Sequence, residues 1–183
     1  MARISLFDTD QLPEPHRSAY ETALAGRTGP RINIHRTVAH SPGVLVRFVE
    51  LANELRNGTE LDPRIRELVI VTVSNEKGAT YESGKHWNLA LGVGVSRDQL
   101  EAVEAGGDPE TAGCFDEAEV AAIRLARVAV RNVRVDDVTW NEAARHFNER
   151  TLIEILAHIG MYSFTAHLTE AVQMDVENWF ERK

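Results

Sequence analysis

Residues 62–94 of this 183-residue chain, DPRIRELVIVTVSNEKGATYESGKHWNLALGVG, admit few folds other than a pair of packed helices. Asp62 is a good N-cap and Pro63 a good first helical residue, because proline there gives up only a donor that would be orphaned anyway. Ile65, Leu68, Val69, Thr72 (through its methyl) and Val73 then recur at i, i+3, i+4, i+7 and i+8, the stripe of a helix. Ile70 and Val71 widen that stripe, so the helix is expected to be buried on more than one side. Lys77-Gly78 stops it with a cation on the last carbonyls and a residue free to turn. VIVTV has the composition of a strand, but its flanks and the length of the pattern favour helix.

A second helix is expected from about Thr80, ended by Gly92 and Gly94. It carries Glu82 and His86 at i and i+4, with Cβ atoms about 5–6 Å apart on one face. Leu89, Ala90 and Val93 continue that face toward the core. A carboxylate and an imidazole turned inward are costly to bury unless they satisfy each other. The pair is therefore a candidate site.

The rest of the chain reads as further helix. Residues 1–13 form an irregular arm, and a short helix runs from about Glu14 to Ala25, closed by Gly26 before a break at Gly29-Pro30. Residues 31–40 are irregular or a short helix. Ser41-Pro42 opens a clear helix through Leu55 that ends at Asn57-Gly58. After the central pair, Ser96 with Gln99 forms a capping box, and Gly106-Gly107-Asp108-Pro109 stops the helix behind it. Residues 110–115 read as loop. Asp116 with Glu119 caps a helix whose stripe is Ala122, Leu125, Ala126, Ala129 and Val133. Asp136 or Asp137 starts a shorter one to Phe147. The last long helix has Leu152, Ile155, Leu156, Ile159, Ser163 and Ala166 on one face. The expectation is one all-α domain over residues 1–183, with seven or eight helices and a core at about 38–177.

RIRELVIVTVSNEKGATYESGKHWNLALGVGVS resembles the core motif of the carboxymuconolactone decarboxylase family, which includes the alkylhydroperoxidase D-like proteins. The likeness extends to Ala39-His40-Ser41-Pro42 and to LIEILAHIGMYSFTAHLTEAV, and is weaker over the first ~35 residues. It implies an alkylhydroperoxidase D-like helical bundle. In the peroxidase branch the second helix holds Cys-x-x-Cys-x-x-x-His, and a glutamate on the preceding helix relays protons to the histidine. Aligned on His86, the cysteine positions are Ala79 and Glu82, and the relay glutamate is Glu67. Both thiols are absent, and Tyr81-Glu82 resembles the cysteine-free, decarboxylase-like branch.

Histidine suits proton transfer near neutral pH, and Glu67 is expected to fix its tautomer; the alternative for Glu67 is an ion pair with Arg64 or Arg66. Two carboxylates around one imidazole should raise one carboxyl pKa and favour a protonated ring. Glu82 alternatively is a solvated glutamate at a helix start. Tyr81, Trp87 and Arg64 are candidate substrate contacts; as alternatives, the two aromatics are packing residues and Arg64 a surface charge. A metal is not expected, because Glu-x-x-x-His supplies two ligands and neither His158 nor His167 stands at a spacing that identifies a third. His158 and Tyr162, one turn apart, read as core or subunit packing. Cys114 reads as inert.

Net charge is −8, which argues against nucleic acid or an anionic membrane as main partners. No apolar run approaches the ~20 residues of a membrane span, and the N-terminus lacks a signal-peptide core. The single cysteine cannot form an internal disulfide, and a cytoplasmic location is the default. The resemblance implies a cofactor-free lyase or isomerase acting on a small carboxylated, lactone-like or enolisable compound. In that reading His86 is the general acid/base, Glu67 its orienter, and Glu82 or Tyr81 a substrate contact. The competing expectations are a thiol-dependent peroxidase, disfavoured by the missing cysteines, and a non-catalytic scaffold with a degenerate site. Surplus apolar helix surface, with Met161, Tyr162, Phe164 and Leu168 outside the last helix's main stripe, points to a homo-oligomer. A trimer or hexamer follows from the resemblance, and a dimer is the alternative.

Overall fold

Asp62, Ser96, Asp108, Asp116 and Asp136 each cap a helix start with their side chains. The structure, a computed structural model, describes residues 2–24 and 31–177, and all regular structure among them is helical. A 3-10 turn at Thr9–Gln11 precedes ten α-helices: α1 His16–Ala23, α2 Asn33–Val38, α3 Pro42–Asn57, α4 Pro63–Lys77, α5 Thr80–Gly92, α6 Arg97–Ala105, α7 Pro109–Ala112, α8 Glu117–Asn132, α9 Asp137–His146 and α10 Glu149–Ala171. The all-α reading stands. The two additional helices are short. One, α2, lies where the pattern was ambiguous; the other, α7, replaces an expected loop. Asp108 accepts from the Glu110 N–H and Pro109 sits in the first turn, the same start that Asp62-Pro63 gives α4. The expected closure at Ala25-Gly26 and the break at Gly29-Pro30 lie outside the described residues.

The described chain groups into two compact units. The first comprises residues 2–24, 31–59 and 171–177, with α1 and α2 both packed on α3. Arg3 donates its backbone N–H to the Val172 carbonyl at 2.8 Å and its guanidinium to that of Ala171 at 3.0 Å. Inside this unit, the buried Tyr20 hydroxyl meets His35 Nδ1 at 3.1 Å, and Phe48 stands edge-on to the same imidazole.

The second unit, residues 60–170, is built on α4. Every residue from Glu67 to Ser74 is buried, so the helix is enclosed on all sides. That is possible because its interior hydroxyls are satisfied by the helix itself: Thr72 donates to the Leu68 carbonyl and Ser74 to that of Ile70. One face (Ile65, Val69, Val73) joins Ala122, Leu125 and Ala126 of α8, Ala143 of α9, and Leu152, Ile155 and Ile159 of α10. The opposite face (Leu68, Val71) joins Trp87 and Ala90 of α5, Leu100 and Val103 of α6, and Ile123 of α8. The apolar surplus expected of this helix is thus covered by its own chain. Met161 is buried too. The large apolar side chains that α10 leaves exposed are Ile153 (63%) and Phe164 (44%).

Between α4 and α5 the chain turns at Gly78, in the left-handed region with φ 63°. Ala79 has no side chain to cap α5. The Glu170 carboxylate does this instead, accepting the Thr80 N–H at 2.9 Å. The tight turn fixes which face of α5 meets α4, and that face carries the candidate site.

Candidate acid–base site

Glu67 lies one turn into α4, and His86 is the seventh residue of α5. The turn at Gly78 sets the helices side by side so that the two side chains meet. His86 Nδ1–H donates to Glu67 Oε2 at 2.7 Å, with His86 1% and Glu67 2% exposed. Glu82, one turn earlier on α5 and 2% exposed, brings Oε2 to 3.4 Å from His86 Nε2. Arg66 completes the row: its Nε lies 3.2 Å from Glu67 Oε1. Both imidazole nitrogens therefore face carboxylates, and the order is guanidinium, carboxylate, imidazole, carboxylate.

The alternation decides the protonation state. Burial alone pushes the Glu67 carboxyl up, but the charge and hydrogen bond of His86, aided by Arg66, outweigh it and hold the group below the ordinary carboxylate range. Burial likewise pushes the imidazole down, and Glu67 first, then Glu82, more than reverse this; His86 is held above the usual histidine value. Of the two carboxyls around the ring, Glu67 is held down by the imidazolium that stands against it. An unpaired buried ion costs several kcal/mol, so a pair of opposite ions is the state these contacts favour.

The other sequence candidates are distributed differently. Tyr81 is fully buried beside Glu82 in sequence. Trp87 packs among Leu68, Val71, Leu100 and Val103, the role of a core residue. The guanidinium of Arg64 is not brought to the imidazole: it reaches Glu119 at 2.7 Å, Gln99 at 3.3 Å and the Gly94 carbonyl. The arginine in contact with the site is Arg66. Glu82 is not a solvated helix-start residue, and Glu67 takes both roles weighed for it, imidazole partner and Arg66 partner.

Tyr162, read from sequence as packing, touches the site. Its ring centroid is 4.8 Å from that of His86 at 84°. The available signal was an aromatic one turn after a buried histidine on an apolar helix. His158, that histidine, donates Nδ1–H to the Glu154 carbonyl at 2.7 Å, and His167 does the same to Ser163 at 2.6 Å. Among the described residues no three His, Cys, Asp or Glu side chains gather as a metal ion requires. Nor is any described helix long and apolar enough to cross a membrane.

Residues 42–128 match the model of the Carboxymuconolactone decarboxylase family, a span that contains Glu67, Glu82 and His86. No curated protein matches the chain in sequence. Among solved structures, a variant of the debrominase Bmp8 in complex with 2,3,4-tribromopyrrole has a TM-score of 0.77 at 22% identity, covering 97% of this chain and 92% of that one. An uncharacterized peroxidase-related protein from Silicibacter sp. TM1040 has a TM-score of 0.79 at 18% identity, with 98% and 93% covered. Another from Ralstonia eutropha JMP134, described as an alkylhydroperoxidase AhpD core, has a TM-score of 0.80 at 16% identity, with 98% and 94% covered. These likenesses are of fold.

Proposed function

Through residues 42–128 the chain belongs to the carboxymuconolactone decarboxylase family, and from that premise we propose that it is a cofactor-free lyase or isomerase of a small enolisable, lactone-like compound. The observation that carries the reading is the fully buried contact of 2.7 Å between His86 and Glu67, with Glu82 on the other ring nitrogen. Loss of carbon dioxide or of a proton from such a compound leaves a carbanion or dienolate that must be protonated on carbon. In this mechanism His86 delivers its Nε2 proton to that carbon, and Glu67 stabilises the charged ring and keeps Nδ1 protonated. Glu82 contacts the substrate and, as a carboxylate, takes up the proton the substrate loses in isomerisation, or one from water after decarboxylation, and returns it to Nε2. Acid–base help of this kind contributes about 10²–10⁴-fold in rate.

Two readings compete. A thiol peroxidase needs a thiolate, and the motif positions hold Ala79 and Glu82. The one thiol, Cys114, is held above its ordinary value, by burial first and then by the charges of Asp98 and Glu119, which lowers its thiolate fraction. A scaffold with a degenerate site has no use for a buried ion pair held on both sides. The test is incubation of unsaturated γ-lactones, with and without a carboxylate, in deuterium oxide, read by proton NMR. Deuterium entering the ring or a shifted double bond, absent with His86→Ala, is the expected result. No exchange with any lactone, together with dithiol-dependent hydroperoxide consumption, would overturn it.

The assembly belongs to the same proposal: a cytoplasmic homo-oligomer, trimer or hexamer before dimer, with Ile153 and Phe164 of α10 as exposed apolar anchors. A light-scattering mass near the chain's 20.4 kDa would remove it.

A further inference from the structure

We propose that Arg66 sets the proton inventory of this site: its fixed charge at one end of the buried row keeps Glu82, at the other end, ionised while the imidazole between them is charged. The row runs from Arg66 through Glu67 and His86 to Glu82, with contacts of 3.2, 2.7 and 3.4 Å. With the ring protonated, Glu67 and His86 balance each other, and the Glu82 carboxylate is left over. Arg66 supplies the second positive charge, so the four groups together are neutral. Without Arg66, two carboxylates and one imidazolium form a buried triad of net negative charge. Burying a charge that nothing balances costs several kcal/mol, and a carboxyl in that position takes up a proton instead. Glu82 is the group to take it, because its contact with the ring is the longer one, 3.4 Å against 2.7 Å for Glu67.

The placement of Arg66 suits that role. Its side chain keeps 14% of its surface in solvent, against 1% for His86 and 3% for each carboxylate. A guanidinium stays charged at every pH the protein meets, so it is a constant where the imidazole is a variable. Glu67 transmits the charge, because its Oε1 faces Arg66 Nε while its Oε2 accepts from His86. The charged and titratable side chains on the surrounding helices point elsewhere. On α4, Arg64 is directed to Glu119 and Gln99. On α8, Arg131 and Arg127 turn to Glu76. From α10, His158 donates to the Glu154 carbonyl and Tyr162 brings a neutral ring to His86. On α5, Lys85 follows Glu82 by three residues, and its charge enters the test.

A base that is ionised at neutral pH is what the lyase reading asks of Glu82, and that consequence rests on the reading. The proton inventory does not, and the experiment separates the two by using no substrate. Full-length protein labelled with ¹³C-glutamate gives carboxyl signals for Glu67 and Glu82, assigned through Glu67→Gln and Glu82→Gln and followed by NMR against pH. In Arg66→Gln the higher of the two titrations is expected to move up by about one pH unit or more, the scale of one neighbouring opposite charge. Arg66→Lys keeps the charge and is expected to return most of that shift. Arg64→Gln removes a charge from the same helix and is expected to titrate as wild type does. An unchanged titration in Arg66→Gln overturns the proposal. So does an equal rise in Arg64→Gln or Lys85→Gln, which makes the effect one of overall charge, and so does a full rise in Arg66→Lys, which assigns it to the hydrogen bond. Should Arg66→Gln not fold, the wild type decides: two ionised carboxyls beside a protonated ring at neutral pH support the neutral row, and a protonated carboxyl there overturns it.

Discussion

Helix α4 carries two arginine–glutamate networks three residues apart, and they are built for different ends. In the first, Arg64 meets Glu119, whose other oxygen accepts from Gln99 at 2.9 Å and from the Asp116 N–H at 3.1 Å. Gln99 in turn accepts the Ser96 N–H and donates to the Cys114 carbonyl. Two members of that network, Gln99 and Glu119, are the third residues of the capping boxes of α6 and α8, so it ties helix starts together. In the second, Glu67 meets Arg66 and His86, and His86 meets Glu82. Those contacts cap no helix end. Polar groups buried for architecture are tied to the backbone; these are tied to one another around a titratable ring. That contrast, more than burial, separates the candidate site from the frame beside it.

The largest effect that can break the comparison is on turnover. His86→Ala is expected to lower any lactone-directed activity by at least ~10²-fold and also to lower the melting temperature, because Glu67 and Glu82 are left buried without the imidazole between them, whereas Glu119→Ala is expected to leave activity within about twofold. Glu119→Ala should act on stability instead. It removes an Arg64 partner, a Gln99 partner and half of a capping box, and charged hydrogen bonds contribute about 1.5–3 kcal/mol each. With compensation by water at the half-exposed Arg64, a loss of about 2–3 kcal/mol is expected, read as a fall in thermal midpoint of roughly 5–10 °C. A Glu119 variant that loses activity but not stability would erase the distinction between the networks.

Next in size is pH. Glu67 has a lowered carboxyl value and His86 a raised one, so their contributions have opposite slopes. The Glu67 contribution is present above its unfolded value, about 4.3, and is lost as pH falls through its depressed folded value. The His86 contribution is fully present below about 6.5 and is lost as pH rises through its elevated folded value. The difference in thermal midpoint between wild type and Glu67→Gln should therefore be greatest between about pH 4.3 and 6.5 and shrink on both sides. A difference that is flat from pH 3.5 to 9 would show that the ion pair does not form.

Sequence revealed the local part of this arrangement and missed the distant part. Asp62-Pro63, Lys77-Gly78, Ser96 with Gln99, and Asp116 with Glu119 each carry their information within four residues, so those boundaries were legible. Asp108-Pro109 carries the same signal, but two glycines before it read as a stop and concealed α7. The alignment on His86 brought Glu67 into view, because the resemblance marks a spacing that the residues alone do not. The direction of Arg64 was not legible. Its guanidinium reaches Gly94 and Glu119, and no pattern in the first turn of α4 says so. Tyr162 was hidden for a related reason: α10 is apolar on so many sides that period alone cannot tell which turn faces α5.

The smallest expected effect tests the boundary of the first network. Cys114 enters it only through its carbonyl, which accepts from Gln99 Nε2 at 3.0 Å, and serine keeps that carbonyl. The thiol is half-exposed, so Cys114→Ser falls among surface changes, usually within about 0.5 kcal/mol. Activity on a lactone should be unchanged, because the thiol belongs to neither network's side-chain contacts. The variant is informative for what its neutrality excludes. A peroxidase would need this thiol as its attacking thiolate, and hydroperoxide consumption would vanish with it. Loss of the main activity in Cys114→Ser, with His86→Ala still active, would move the chemistry to the side of the molecule that the capping network occupies.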